Sequence, residues 1–281
     1  MDAIHFVQPL YSLSGFAVGL LVGLTGVGGG SLMTPILILL FGIHPASAVG
    51  TDLLYAAATK TAGSLVHGYN HTVDWRVVRR LATGSVPATA VTILALSFVN
   101  LNGAMARDLI AGLLTVALCF TALTLVFRDQ IVRRYSSRIG RLSERRVAGL
   151  TTAVGAILGV LVSISSVGAG AIGVTALILL YPQLPIARIV GSDIAHAVPL
   201  TLIAGLGHWW LGSIDLHLLI PLLLGSVPGI VLGSYVVTRV PEVALRLLLA
   251  GTLVVVATKL ALDTYSAPGA VVTATTSRAP H

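Results

Sequence analysis

Three charged residues stand inside stretches of sequence that are otherwise apolar. Asp52 and Lys60 share one stretch, and Asp193 lies in another. In a helix, Asp52 and Lys60 would be about two turns apart on one face. A charge in such a setting is costly unless it is paired or hydrated, so all three side chains must face a protein interior or a water-filled cavity. Lys60 can bind an anionic ligand, with Asp52 holding it when the ligand is absent, or it can form a buried ion pair with Asp52 or Asp193.

Two glycine-rich strings offer a second kind of chemistry, because each interrupts an apolar stretch and precedes a short apolar run. The strings are GVGGGS at residues 26–31 and SVGAGA at residues 166–171. The first N–H groups of a helix lack intrahelical partners and lie at the positive end of its dipole, so a helix that begins after such a break favours an anion. Glycine also lets a ligand approach the backbone closely. A nucleotide-binding P-loop is disfavoured, because no lysine of that motif follows the glycines.

These features predict a substrate site in which helix N-termini, hydroxyl groups and the Lys60 ammonium group contact an anion. Its predicted members are Thr25, Gly28, Gly29, Gly30, Ser31, Lys60, Ser165, Ser166, Gly168 and Gly170. The alternative interpretation of the glycine cluster is close helix packing, although spacings of one and two residues do not build one helix face. Packing is the expected role of the stripe formed by Gly15, Gly19 and Gly23, which recurs at Gly155 and Gly159.

Two aspartates and three histidines are candidates for support of the site or for ion coupling: Asp52, Asp193, His67, His196 and His208. For the aspartates, the favoured interpretation is that they accept hydrogen bonds from backbone N–H groups of the opposing hairpin. His196 follows Asp193 by one helical turn, and a titratable group near the transport path suits proton coupling. His67 and His208 lie near helix ends, where the alternative is that they bond to loop backbone.

The composition places these residues in a membrane. The chain has 281 residues, of which 56% are hydrophobic and 10% charged, and its mean hydropathy is +0.95. The apolar runs lack the alternation of a β-barrel, so helices are expected to span the bilayer. The sequence contains no GxSxG nucleophile motif and no zinc-ligand spacing. We therefore predict no enzyme activity, catalytic residue, metal site or cofactor.

Ten apolar runs give the predicted helices. The second and seventh runs span only about 20 Å at a rise of about 1.5 Å per residue, against a hydrocarbon core of about 30 Å. Because each follows a glycine-rich break, residues 8–42 and 147–181 are expected to form re-entrant hairpins. Tilted full spans in a thinned bilayer are the alternative. The runs are 8–26, 30–42, 46–67, 80–99, 107–127, 147–165, 170–181, 186–210, 217–238 and 243–262.

The chain repeats itself, which indicates an internal duplication. The VGGG string at 27–30 corresponds to VGAG at 167–170, and the second half then contains one inserted residue. After this insertion GSVP recurs at 84–87 and 225–228, and four further positions match in the same register. Gly50, Asp52, His67 and Asp74 correspond to Gly191, Asp193, His208 and Asp215. Each half has five crossings, or three if its hairpin re-enters. Since both numbers are odd, the two halves are expected to have opposite orientations.

The arginines indicate which side of the membrane each loop occupies. Residues 128–146 include seven arginines, so this segment is predicted to be cytoplasmic and both termini external. The organisation is then an N-terminal repeat at 1–127, the basic linker at 128–146, an inverted C-terminal repeat at 147–265 and a disordered tail at 266–281. The fold class is an all-α polytopic membrane protein, in which each repeat is a broken-helix hairpin followed by three transmembrane helices. The net charge of +7 reflects this topology and anionic lipid rather than nucleic acid.

The order of motifs resembles that of a known family. GVGGGSLMTPIL is followed by GTD, HGYNHTVDWR and GSVP, with a weaker second copy. Over Ser14 to Leu262 the chain is similar to the sulfite exporter TauE/SafE family, also called the TSUP permeases. The resemblance implies transport of sulfite or organosulfonates across the bacterial inner membrane, with the glycines of both strings lining the path. Asp52 and Lys60 stand where mostly small hydroxylic residues are expected in the family, which indicates a subgroup.

We therefore expect a secondary transporter for a small sulfur-containing anion that works by alternating access, with the two hairpin tips meeting near the midplane. An anion channel that uses the same tips as a filter is one alternative, and a permease for a non-sulfur carboxylate is another. The expected partners are the small anionic substrate and membrane lipids, with no nucleic acid. A homodimer is one option for the oligomeric state, while the direction of transport and the coupling ion are open.

Overall fold

A computed structural model describes residues 2–25, 30–99, 103–139, 142–236 and 242–266, and the regular elements in these ranges are α-helices. Helices satisfy their own backbone groups, as the interior of a bilayer requires. The predicted tail lies outside the described residues from position 267 onwards. The helices are α1 (Asp2–Thr25), α2 (Gly30–Leu39), α3 (Pro45–Tyr69), α4 (Trp75–Ser97), α5 (Ala104–Ile139), α6 (Glu144–Ser165), α7 (Ala171–Leu180), α8 (Ile186–Trp210), α9 (Leu216–Val236) and α10 (Glu242–Ser266).

Helix length separates full spans from short helices. Four segments of the described chain are long and apolar enough to cross a membrane: Asp108–Tyr135, Glu144–Ser165, Ile186–Trp210 and Leu216–Gly233. By contrast, α2 and α7 have ten residues each. At about 1.5 Å per residue each is about 15 Å long, half of a hydrocarbon core. The prediction of two short helices is confirmed. The basic segment after residue 127 is partly helical, because α5 continues to Ile139.

Glycines let two pairs of helices pack backbone to backbone. A Cβ atom at Gly15 in α1 would overlap the carbonyl group of Leu222 in α9. Likewise, a Cβ atom at Gly155 in α6 would overlap the carbonyl group of Leu81 in α4. Small residues at such contacts allow close approach of helices in lipid, and the predicted packing role is confirmed for Gly15 and Gly155. Each contact joins a helix of one half of the chain to a helix of the other.

The central helices α3 and α8 run antiparallel. Gly50, near the start of α3, packs against the backbone of Ser213, which follows α8. Gly191, near the start of α8, packs against the backbone of Thr72, which follows α3. The start of each helix therefore lies beside the end of the other.

Two hydrogen bonds join the start of each of the helices α3 and α8 to the turn that follows the other. The backbone N–H of Asp215 donates to Thr51 Oγ1 at 3.1 Å, and the backbone N–H of Asp74 donates to Ser192 Oγ at 2.8 Å. The two bonds occupy corresponding positions in the two copies of the sequence repeat. Asp74 also caps α4, because its side chain accepts hydrogen bonds from the backbone N–H groups of Arg76 and Val77.

The short helix α7 folds back along α6. The Tyr181 hydroxyl, just after α7, lies 2.9 Å from Thr151 Oγ1 in α6 and accepts a 3.2 Å hydrogen bond from Arg80 in α4. Arg80 in turn lies 2.9 Å from the carboxylate of Glu144, at the start of α6. The starts of α4 and α6 and the end of α7 are thus at one end of the bundle.

Candidate functional site

The break between α6 and α7 has a backbone that depends on glycine. Ser166 ends α6 in the left-handed conformation, with φ of 58°, and donates its backbone N–H to Val162 at 2.8 Å. Gly168 and Gly170 have φ of 118° and 110°. Residues with side chains rarely adopt such angles. All residues of the break, 166–170, are buried, so the second predicted interruption is present and lies inside the protein.

The hydroxyl groups at the break differ in what they can still bind. Ser163 and Ser165 donate to the carbonyl groups of Gly159 and Leu161, one turn earlier in α6, at 2.6 and 2.7 Å. The buried Oγ of Ser166 has no hydrogen-bond partner among the described residues. An unpaired buried hydroxyl is costly. Ser166, rather than Ser165, is therefore the hydroxyl that a ligand would satisfy.

Asp52 in α3 lies near Ser166, at the N-terminal end of the break. Its Oδ2 accepts a 2.5 Å hydrogen bond from the hydroxyl of Thr34 in α2, and the Thr34 backbone N–H also faces it. The Ser166 hydroxyl faces the same carboxylate without closing a hydrogen bond. Asp52 is completely buried, and its Oδ1 has no partner in the described structure. This carboxylate connects the first half of the chain to the break in the second half.

Asp193 in α8 lies at the other end of the break, against the N-terminus of α7. It faces the backbone N–H of Gly170, the N-cap of α7. A Cβ atom at Gly173, in the first turn of α7, would overlap Asp193 Oδ1. This oxygen has no hydrogen-bond partner within the described ranges, and the residue is 1% exposed. The helix N-terminus that sequence reasoning assigned to a substrate anion is thus faced by the protein's own carboxylate, and the N–H group belongs to the hairpin of the same half.

Lys60 lies near both carboxylates without a direct ion pair to either. The residue is 4% exposed, and the negative charges of both Asp193 and Asp52 attract its ammonium group. Within the described chain, no nitrogen–oxygen distance of 4.0 Å or less joins Lys60 to either aspartate. The ammonium group is therefore buried, attracted to two carboxylates and still able to donate to a ligand.

Sequence reasoning missed the polar role of Ser85, the serine of the first GSVP string. Its hydroxyl lies 2.8 Å from Nε2 of His196, and both residues are completely buried. At the corresponding positions of the repeat, Tyr55 and Ser226 take the places of His196 and Ser85, and Tyr55 faces Ser226. The repeat of GSVP was the available signal, because a serine retained in both copies within an apolar helix needs a polar partner.

The other two histidines fasten helix ends. His208 Nε2 lies 2.9 Å from the carbonyl oxygen of Ser163 in α6. His67 Nδ1 lies 2.8 Å from the hydroxyl of Thr72 in the turn that follows α3. His67 thus contacts a turn side chain and His208 a helix carbonyl, so neither ring nitrogen contacts loop backbone in these bonds.

The first glycine string cannot be compared in the same way. Gly28 and Gly29 lie outside the described residues, and the surroundings of Thr25, Gly30 and Ser31 are not described. Their predicted part in substrate binding stays a prediction. Gly26, which corresponds to Ser166 in the repeat, also lies outside the described residues.

The described residues form a buried polar cluster along the break, which we call the break cluster: Asp52, Lys60, Ser166, Gly170, Asp193 and His196. Its donors are an ammonium group, a hydroxyl group and a backbone N–H at a helix N-terminus. Such donors bind oxyanions, since charge-assisted hydrogen bonds and the helix dipole both favour negative charge. Within the described ranges, its other unpaired polar atoms are the Oδ1 atoms of both aspartates and Nδ1 of His196.

Comparison with known proteins relates the chain to membrane transporters. The family profile described as sulfite exporter TauE/SafE matches residues 11–260. The probable membrane transporter protein YjnA of Bacillus subtilis is 37% identical over 251 residues, which cover 88% of this chain and 97% of YjnA. The probable membrane transporter protein YdhB of the same bacterium is 26% identical over 235 residues, covering 82% of this chain and 91% of YdhB. No solved structure gives a significant match.

Proposed function

Since the chain belongs to the sulfite exporter TauE/SafE family of membrane transporters, we propose that it carries sulfite or an organosulfonate across the bacterial inner membrane. The observation that carries this proposal is the buried Lys60, which lies near two carboxylates but is bound to neither. A lysine that served only to neutralise a buried charge would gain most from a direct ion pair. An ammonium group kept out of such a pair is available to a substrate anion.

The chemistry of the break cluster suits a small oxyanion. Sulfite and sulfonates present three oxygen atoms on one sulfur atom, and each oxygen accepts hydrogen bonds. The Lys60 ammonium, the Ser166 hydroxyl and the Gly170 backbone N–H are three donors of different kinds around one break. A carboxylate holds its lone pairs in one plane, whereas the three oxygens of a sulfur oxyanion point in three directions and suit donors that belong to different parts of the break. This comparison supports a sulfur oxyanion over a carboxylate.

We further infer that the two halves are inverted repeats. The contacts of Gly15 with Leu222 and of Gly155 with Leu81 support this, because their positions correspond in the two copies. The hydrogen bonds Asp215 to Thr51 and Asp74 to Ser192 correspond in the same way. Each half contributes five helices, an odd number, so corresponding elements would point in opposite directions. Transporters with this plan bind substrate where the repeats meet.

The contacts of Tyr181 support a re-entrant hairpin for α6 and α7. The end of α7 lies beside Thr151 in α6 and beside Arg80 at the start of α4. The chain would therefore leave the hairpin on the side where it entered. Arg76 and Arg80 lie against Glu144, which follows the basic segment, so these arginines share a side with it. The positive-inside rule makes that side cytoplasmic and the termini external.

Burial favours a carrier over an open channel. Asp52, Asp193 and His196 are each 1% exposed or less. In a channel with a conducting filter, the residues that bind the ion would line a continuous water-filled path. In a carrier the site is exposed to one side at a time, so a closed cluster is an ordinary state of the transport cycle.

The direct test is a ligand panel scored by thermal stabilisation of the purified protein. The panel contains sulfite, sulfate, taurine, isethionate, acetate and succinate, and a ligand that binds the native state raises its apparent stability. We expect sulfite or a sulfonate to raise the melting temperature of the wild type and of Lys259→Ala, whose lysine is exposed on α10. Lys60→Ala should respond much less at the same ligand concentration. Stabilisation by carboxylates alone would overturn the sulfur assignment, and an equal response of Lys60→Ala would overturn the site.

A further inference from the structure

Asp193 occupies the place that an anion bound at the N-terminus of α7 would need. Its carboxylate faces the Gly170 backbone N–H, and the missing side chain of Gly173 makes room for its Oδ1. The residue is almost completely buried, and that oxygen has no hydrogen-bond partner among the described residues. A substrate anion and the Asp193 carboxylate would therefore compete for the same helix N-terminus.

The charges around Asp193 leave the break cluster negative before any substrate enters. Helices α3, α4, α6 and α7 pack against α8. Asp52 and Lys60 come from α3, so with Asp193 the formal charge is −1 when all three are ionised. Neither residues 81–97 of α4 nor residues 147–180 of α6 and α7 include an ionisable side chain. The other ionisable side chains of α3 and α8 are Tyr55, His67, Tyr69, Arg188, His196 and His208, of which Tyr69 and Arg188 are exposed.

A second negative charge in this setting requires compensation. Like charges repel strongly where water is excluded, and a buried group then neutralises instead. A monovalent anion would take the cluster from −1 to −2, and a divalent anion would take it further. One proton taken up with a monovalent anion keeps the charge at −1.

Asp193 is better placed than its neighbours to take up that proton. Asp52 has the Thr34 hydroxyl and backbone N–H around it, which hold its negative charge. Asp193 has the Gly170 N–H, which an arriving anion would claim. His196 has an Nδ1 that is free within the described part of the chain, but a proton there would place a second positive charge beside Lys60. Loss of the Gly170 N–H to the anion would leave the Asp193 carboxylate without that donor.

We propose that Asp193 stands in for the substrate anion in the empty protein and takes up one proton when the anion binds, so that anion and proton move together. This rests on the proposed anion site. The proton comes from water on the open side and converts the Asp193 carboxylate to the carboxylic acid. The Lys60 ammonium group and the Gly170 N–H then donate hydrogen bonds to the substrate. On the other side the anion leaves, the proton returns to water, and Asp193 resumes its place.

The test is a count of protons taken up per anion bound. Isothermal titration calorimetry with isethionate, in two buffers of different ionisation enthalpy, gives this number. Isethionate is chosen because a sulfonate does not titrate near neutral pH, so any proton taken up belongs to the protein. We expect about one proton per isethionate for the wild type, with affinity that rises up to tenfold for each unit by which the pH falls.

Variants assign the proton to Asp193. Asp193→Asn should bind isethionate with no proton uptake and with affinity independent of pH. Asp108→Asn, on the exposed face of α5, should keep the wild-type proton count. Where Asp193→Asn gives no folded protein, Asp193→Ser fits the same space and is measured in its place. An equal proton count in wild type and Asp193 variants would overturn the assignment.

Two results on the wild type separate this inference from the proposed function. Isethionate binding without proton uptake would overturn the inference and leave the anion site intact. A wild type that binds neither isethionate nor any other anion of the panel would overturn the proposed function and the inference together.

Discussion

Lys60 in α3 is attracted electrostatically by Asp193, which belongs to the other half of the chain, as well as by Asp52 on its own helix. The lysine therefore links the two central helices at the break cluster. Its counterpart in the second copy of the repeat is Thr201, whereas Asp52 and Asp193 correspond to each other. The chain thus has two matched carboxylates and a single ammonium group between them. The packing around the site is repeated, and its positive charge is not.

Removal of this charge should weaken anion binding. We expect Lys60→Ala to lower the affinity for the bound anion by about 10- to 100-fold, because a hydrogen bond to a charged group contributes about 1.5–3 kcal/mol. Calorimetric titration of the purified protein measures the affinity. Lys259→Ala removes an exposed lysine and serves as the matched control. Equal affinities of Lys60→Ala and wild type would contradict the site.

The backbone at the break should not tolerate a side chain. We expect Gly170→Ala to destabilise the protein by about 1–3 kcal/mol, since φ of 110° strains any residue with a Cβ atom. Thermal unfolding in detergent measures the loss. Gly149→Ala is the control, because Gly149 in α6 faces open space. There the higher helix propensity of alanine should be neutral or stabilising by up to about 1 kcal/mol. A Gly170→Ala protein as stable as its control would count against the strained break.

The contact between Ser85 and His196 should couple the two halves energetically. We expect Ser85→Ala and His196→Leu each to destabilise the protein, with an interaction energy of about 0.5–3 kcal/mol in the double variant. The reason is that the first change leaves the second side chain buried without its partner. Thermal unfolding of the wild type, both single variants and the double variant in one detergent gives this interaction energy. Additive effects would show that the 2.8 Å contact carries no coupling.

The two matched hydrogen bonds at opposite ends of α3 and α8 should control access to the site from opposite sides. Each hydrogen bond joins the two halves of the chain at one end of the bundle. We expect Ser192→Ala, which removes the bond from Asp74, to weaken closure at the end where Arg80 lies. Thr51→Val removes the bond from Asp215 and should weaken closure at the other end. Reaction of Ser166→Cys with a membrane-impermeant thiol reagent, in a Cys119→Ser background, reports access from each side of sealed vesicles. A shift in the same direction for both variants would argue against alternating access.

Much of the fold follows from the sequence because the bilayer limits the choices. Apolar runs of about 20 residues must be helices that span, and a ten-residue run after two positive-φ glycines must stop short. The matched positions of Asp52 and Asp193 were visible in the register of the repeat. Burial of Lys60 also followed, since a charge within an apolar helix has to face the protein.

The contacts within the site were less accessible to sequence reasoning. The pairing of Asp193 with the N-terminus of α7 depends on how far α8 slides along the hairpin, and no local pattern encodes that position. Thr34 gave no signal, because a threonine in a membrane helix commonly bonds its own backbone, as Thr175 does with Ala171. Its hydroxyl instead donates a hydrogen bond from α2 to Asp52 in α3.

The most direct measurement of the central claim is counterflow of radiolabelled sulfite in proteoliposomes that contain the purified protein. Vesicles preloaded with unlabelled sulfite and diluted into a trace of labelled sulfite should accumulate label transiently with the wild type and with Lys259→Ala. Lys60→Ala should accumulate none beyond protein-free vesicles. Absence of accumulation with the wild type, or equal accumulation with Lys60→Ala, would contradict a sulfite carrier built around the break cluster.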